Sequence, residues 1–226
     1  SDIRRIVIVS LSTFVILLAV AIPYHDLIFR HILQPIITHY DGSRLIMTQI
    51  TEAVTLPLTI GSLLALMGTL PITLFMMWRF IRGALLPEER QWLKKCMIAA
   101  IMMFYLGITA SVYCIVPMML NFFFSIAPSY VTLMPSAMSL CLFIIRFSLM
   151  FGILSLTPIA LLGLIQLNMI TTNQLINHRR TFVVLSFVLG MLLTPPDIIS
   201  QIMVAIPLII IFEITIIMAK RIQQKR

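Results

Sequence analysis

The chain has 226 residues, of which 60% are apolar and 11% charged, and it carries a formal net charge of +8. A soluble domain covers its surface with about 25% charged residues, so this chain cannot be wetted all round. The basic excess sits beside apolar runs and reads as membrane topology rather than nucleic-acid binding.

A bilayer core of about 30 Å takes roughly 20 helical residues. Six apolar runs approach that length and predict transmembrane helices at about 6–24, 56–78, 96–122, 137–164, 181–193 and 198–218. No Gly/Ser/Pro-rich linker, repeat or low-complexity tract separates them, so residues 1–226 are expected to form a single membrane domain. The first run opens on Arg4-Arg5 and contains Ala19-Val20-Ala21, which are also parts of a secretory signal. Its apolar stretch is longer than the 7–15 residues of a signal core, and the rest of the chain also needs a membrane, so it is read as a retained helix.

The fifth run has only 13 residues, and the last has 15 before Glu213. At 1.5 Å per residue they cover about 20 and 22 Å. They form either a buried hairpin or two short crossings in a locally thinned bilayer, and Thr194-Pro195-Pro196-Asp197 between them is a strong helix stop.

Thirteen of the sixteen Lys and Arg fall on one side of this arrangement: Arg4, Arg5, Arg79, Arg82, Arg90, Lys94, Lys95, Arg179, Arg180, Lys220, Arg221, Lys225 and Arg226. Only Arg30 and Arg44 fall on the other. That bias predicts both termini on the cytoplasmic side.

No phosphate-binding glycine loop, HExxH spacing or Ser/His/Asp set occurs, and no cofactor is expected. His25, His31 and His39 are spaced too irregularly for a metal site and read, with His178, as solvated loop residues. Cys96, Cys114 and Cys141 lie in apolar stretches and read as structural. Between the second and third helices, Pro87-Glu88-Glu89-Arg90 is a helix start with its acids at the positive helix end. The same carboxylates are suited to receive a cationic partner.

Arg146 lies about 14 Å inside the fourth helix, where an arginine costs at least about 2.5–3.5 kcal/mol. It either snorkels outward or faces a polar hollow. Ser139, Arg146 and Thr157 share one helical stripe, which favours the hollow. Gln201 and Glu213 are the polar groups of the last helix. The sixteen methionines read as gap-filling or lipid-facing, with an adaptable groove as the alternative.

The stretch from Phe187 to Gln201, with Leu193-Thr194-Pro195-Pro196-Asp197 at its centre and Ala205-Ile206-Pro207 and Phe212-Glu213 after it, resembles TatC, the multispanning subunit of the twin-arginine protein translocase. Trp78-x-Phe80 with Leu85 to Arg90, Phe104-Tyr105-Leu106-Gly107 with Pro117, Phe151-Gly152 with Pro158, and Thr51-Glu52-Ala53 extend the likeness in order along the chain. The resemblance implies an all-α, cupped bundle of six transmembrane helices with both ends inside and the last two helices short. It implies a receptor, not an enzyme, in a cell inner membrane that binds the twin-arginine signal peptides of folded precursors. Such a receptor recruits TatA- and TatB-type single-span proteins, in an oligomeric assembly.

Carried over by position, the signal site comprises Phe80, Glu89 and Glu88 with Asp2 and Arg4 beside them. Asp197, Gln201 and Glu213 match further family positions. There are two departures. Only Asp2-Ile3-Arg4 stands for the second half of the family's amino-terminal motif, and with no initiator Met before Ser1, preceding residues are expected to have been removed. Leu156 stands where the family usually has a glutamate, leaving Arg146 with Thr157 as candidates for the polar hollow. A small-molecule or ion transporter is the alternative class, and a TatC-like paralogue with altered receptor activity is a third.

Overall fold

The computed structural model describes residues 2–24, 27, 46–81, 87–126, 136–166, 169–194 and 197–224. Helix α1 is Asp2–Ala21, closed by a 3-10 turn, Ile22–Tyr24. Helix α2 is Glu52–Ile81. Helices α3 (Pro87–Ala110) and α4 (Val116–Ile126) are joined through a π-helical turn, Ser111–Ile115. Helices α5 (Ala137–Leu154), α6 (Thr157–Gln166), α7 (Thr172–Asn177), α8 (Arg179–Leu193) and α9 (Ile198–Gln224) complete the described chain. Among the described residues the sole extended pairing is an isolated bridge, Ile46 to Ser136.

Five stretches are long and apolar enough to cross a membrane: Arg4–Tyr24, Glu52–Phe80, Leu93–Ile126, Ala137–Gln166 and Ile198–Arg221. Helix α8, at 15 residues, is shorter than these. The helices outrun the apolar runs. Arg90, Lys94 and Lys95, read from sequence as loop charges, lie within the opening turns of α3, and α9 continues well past Glu213.

Prolines set the irregularities. Pro117 has no N–H for the carbonyl four residues back, and its ring crowds that carbonyl. The chain widens by one residue just before it, so that Val116 N–H donates to Ser111 O. Pro158 likewise leaves Leu154 without a donor and disfavours helical backbone at Thr157. The run read as one helix from 137 to 164 is therefore interrupted at Ser155-Leu156, where Leu156 N–H turns back to Ile153 O at 3.0 Å.

The chain divides into two compact units, Ser1–Met97 with Leu120–Leu149, and Ile98–Met119 with Met150–Arg226. In the first, α1 and α2 run antiparallel. A Cβ on Gly68 would lie 2.9 Å from Leu17 Cδ1 and one on Gly61 3.4 Å from Ile22 Cγ1, so small residues let the two helices approach. Thr73 Oγ1 donates to Ser10 Oγ at 3.0 Å further along the same seam. Phe143 bridges Phe123 and Phe147 at centroid distances of 6.2 and 4.6 Å.

In the second unit, Gly107 packs onto the backbone at Phe151, and Gly152 onto the ring of Phe104. Helix α9 is the hub of this unit, packing against α8, α7 and α6. Its buried Phe212, Ile216 and Ala219 form a core with Leu162, Ile165 and Leu175.

Candidate functional site

The α1–α2 register fixes the first cluster. Ile22 lies over Gly61, Leu17 over Gly68 and Ser10 beside Thr73. Continuing this antiparallel register brings Asp2 to Arg4 level with the last turn of α2, which carries Arg79 and Phe80. Arg4 is exposed, and Phe80 is 48% exposed, a large apolar ring presented to its surroundings. Residues 82–86 and the side chains of Asp2, Glu88 and Glu89 lie outside the described part. The backbone of Glu88 and Glu89 forms the first turn of α3, directly after Pro87.

Asp197 and Gln201 sit at the α8–α9 hairpin, and the fold uses both. Asp197 Oδ2 accepts the Ser200 N–H at 2.8 Å, capping α9 and satisfying one of its unpaired amides. Gln201 Nε2 donates to Phe187 O across the hairpin at 2.8 Å. A Cβ on Gly190 would lie 3.1 Å from Gln201 O, so the helices approach closely there. Thr194 closes α8, its N–H and Oγ1 both reaching Gly190 O at 3.0 Å.

Glu213 has a partner that sequence reading treated only as a topological charge. Arg179 Nη2 lies 2.8 Å from Glu213 Oε2, with the two side chains 43% and 41% exposed. Arg179 Nε is buried without a hydrogen-bond partner. One turn along α8, the Phe182 ring stacks on Phe212, with centroids 3.9 Å apart and planes within 8°. An acid inside an apolar helix calls for a cation, which was the available signal. Its identity was hidden because the partner lies 34 residues away.

Arg146 is exposed on α5, as is Ser139, while Thr157 is half-buried in α6. The stripe that joined the three assumed one continuous helix, and the break at Ser155-Leu156 ends it. Leu156 is half-buried at that break. Among the described residues, no group of three His, Cys, Asp or Glu side chains could hold a metal ion. His178 Nδ1 lies 2.8 Å from Gln174 O, and the other three histidines fall outside the described part. Cys141 is buried and Cys96 half-buried, but Cys114 is exposed.

A further polar cluster was missed. Glu52, only 6% exposed, accepts the Thr48 N–H at 3.3 Å and the Thr48 hydroxyl. Ser136 Oγ lies 3.3 Å from both of its carboxylate oxygens. Ala137 N–H donates to Ile46 O at 3.1 Å beside it. One carboxylate thus ties the segment entering α2 to the segment entering α5.

Residues 1–207 match the family model described as TatC, Sec-independent protein translocase protein. The chain is 30% identical over 213 residues to the Sec-independent protein translocase protein TatC of Haemophilus influenzae, covering 93% of this chain and 83% of that protein. It is 25% identical over 213 residues to that of Halothiobacillus neapolitanus, where it spans only 58% of the relative's length. A solved structure described as the twin arginine translocase receptor TatC in DDM superposes with a TM-score of 0.87 at 28% identity, covering 96% of this chain and 97% of the other. These agree with the all-helical fold, and the chain belongs to the TatC family of the Sec-independent protein translocase.

Proposed function

We propose that this chain is the receptor and core subunit of a twin-arginine translocase. It binds twin-arginine signal peptides of folded precursors at its cytoplasmic face and recruits TatA- and TatB-type single-span proteins, in an oligomer, without enzymatic chemistry of its own. The observation that carries this reading is the near full-length likeness to a structure described as the twin arginine translocase receptor. Six crossings with both termini cytoplasmic fit it. Helix α8 then acts as a short sixth crossing, since only an even count leaves both Arg4-Arg5 and Lys220-Arg221 on the basic side.

The signal site is Phe80, Glu89 and Glu88 with Asp2 and Arg4. Arginine presents a planar fork that a carboxylate accepts through two parallel bonds, which lysine cannot copy. Each charge-assisted bond contributes about 1.5–3 kcal/mol, enough to read two arginines against one. The exposed Phe80 ring offers apolar area to the stretch that follows the arginines in a signal.

Photocrosslinkers at Phe80 and Glu89 are expected to capture a twin-arginine signal peptide. Glu89→Gln is expected to abolish capture while the protein still inserts, and undiminished capture in Glu89→Gln would remove that residue from the site. Leu156 in place of the family's usual glutamate favours one second reading, a paralogue with altered receptor activity. Export of a folded reporter in a strain lacking its own TatC would exclude it.

A further inference from the structure

The Arg179–Glu213 pair has the properties of an occupied but exchangeable binding seat. The guanidinium meets the carboxylate through one short contact at 2.8 Å, although the fork allows two, and Arg179 Nε is buried without a partner. Both side chains are more than two-fifths exposed, so solvent screens the pair and its net hold is weak. A guanidinium free to orient itself can therefore do better on Glu213 than the one now present.

The segment that supplies Arg179 has the layout of an export signal. Arg179-Arg180 is followed by 13 largely apolar residues, Thr181 to Leu193, and an export signal places a basic stretch before 7–15 apolar residues. Phe182, three residues after Arg179, stacks on Phe212, the neighbour of Glu213. An acid beside an aromatic is also the pairing proposed for the signal site, in Glu89 and Phe80.

From this geometry we infer that Glu213 is a second guanidinium seat, filled in the resting receptor by the chain's own Arg179 and taken over by an arginine of the incoming signal peptide. This rests on the receptor reading above. Arg179 then acts as an internal competitor that lowers affinity for the ligand, and its release reports that the peptide has arrived. No covalent step is involved, only exchange of one ion-pair partner for another.

The test uses the full chain in lipid nanodiscs and a fluorescent signal peptide bearing either two arginines or two lysines. Arg179→Gln is expected to bind the arginine peptide about 1.5- to 5-fold tighter, the factor set by removing an exposed ion pair. Glu213→Gln is expected to bind it more weakly and to discriminate less against lysine, and Arg179→Gln with Glu213→Gln to show no gain. In unmutated background, a photocrosslinker at Ile217, exposed one turn beyond Glu213, is expected to capture the arginine peptide but not the lysine one.

An Arg179→Gln protein of unchanged melting temperature that binds no tighter overturns the inference, as does a gain that survives in the double variant. Should Arg179→Gln fail to fold, absence of Ile217 capture decides against it. If the unmutated chain shows no preference for arginine at all, the receptor reading falls together with it. A preserved preference with a null result at Glu213 removes this seat alone.

Discussion

Glu52 shows what a buried carboxylate does when it is fully engaged. Its oxygens take donors from Thr48 and Ser136, and removing it takes away the acceptor that joins those two segments. Glu52→Ala is expected to destabilise by about 1–3 kcal/mol, read as a lower melting temperature of the solubilised protein. Gly107 is under a steric constraint instead. A Cβ there would come within 2.1 Å of Ser155 Oγ and 2.6 Å of the Phe151 carbonyl oxygen, and a backbone atom cannot swing aside. Gly107→Ala is expected to cost at least about 1–3 kcal/mol. Gly61→Ala, whose Cβ would meet Ile22 Cγ1 at an ordinary 3.4 Å, is expected to be near neutral by the same melting measurement. Neither constraint is legible in the sequence. Thr51-Glu52-Ala53 carries part of the family resemblance but does not disclose its partner Ser136, 84 residues away. Gly107 belongs to a stretch that carries the family resemblance, but the sequence does not show which backbone it packs against.

Among the elements, the α8–α9 hairpin was the most legible. Thr194 and Asp197 bracket the stop that the sequence marks, and each serves as a cap. Asp197→Ala is expected to destabilise by about 1 kcal/mol, while Asp197→Asn, which keeps an acceptor oxygen, is expected to be near neutral, measured by thermal or denaturant unfolding. The apolar runs located the long helices because membrane-spanning segments must satisfy their backbone internally. They misplaced the ends, since a helix does not stop where its apolar residues do: Glu52, Arg90 and Lys220 all lie within helices. Two interruptions were also passed over. Pro117 and Pro158 were both visible, but mean hydropathy does not register a missing amide donor. Helix α7 went unread because its signal is local. Thr171 and Gln174 form a reciprocal capping box over a helix of only 6 residues.

For the whole molecule, the six proposed crossings fix which loops share a side of the membrane. Single cysteines at Ala84 and Gln223 are expected to react with an impermeant thiol reagent from the same side of the membrane, and one at Ser125 from the other. Opposite sidedness of Ala84→Cys and Gln223→Cys would mean that α8 does not cross. The chain is also expected to melt higher in short-chain than in long-chain lipid, because α8 spans about 22 Å against a core of about 30 Å.

The hairpin's two arms differ in length, 15 residues against 27. From the shared bend, Arg179 is about 21 Å down α8 and Glu213 about 22 Å down α9, so the pair meets level, while α9 runs on for about 16 Å more. The hairpin therefore ends in a step, with the ion pair on its tread and the last turns of α9 as its riser. Helix α7 fills one side, since Leu175 packs against Phe212, Ile216 and Ala219. Both charged side chains stay more than two-fifths exposed on that tread. Lipid beside α8 faces a wall of about 22 Å, and lipid beside α9 one of about 40 Å.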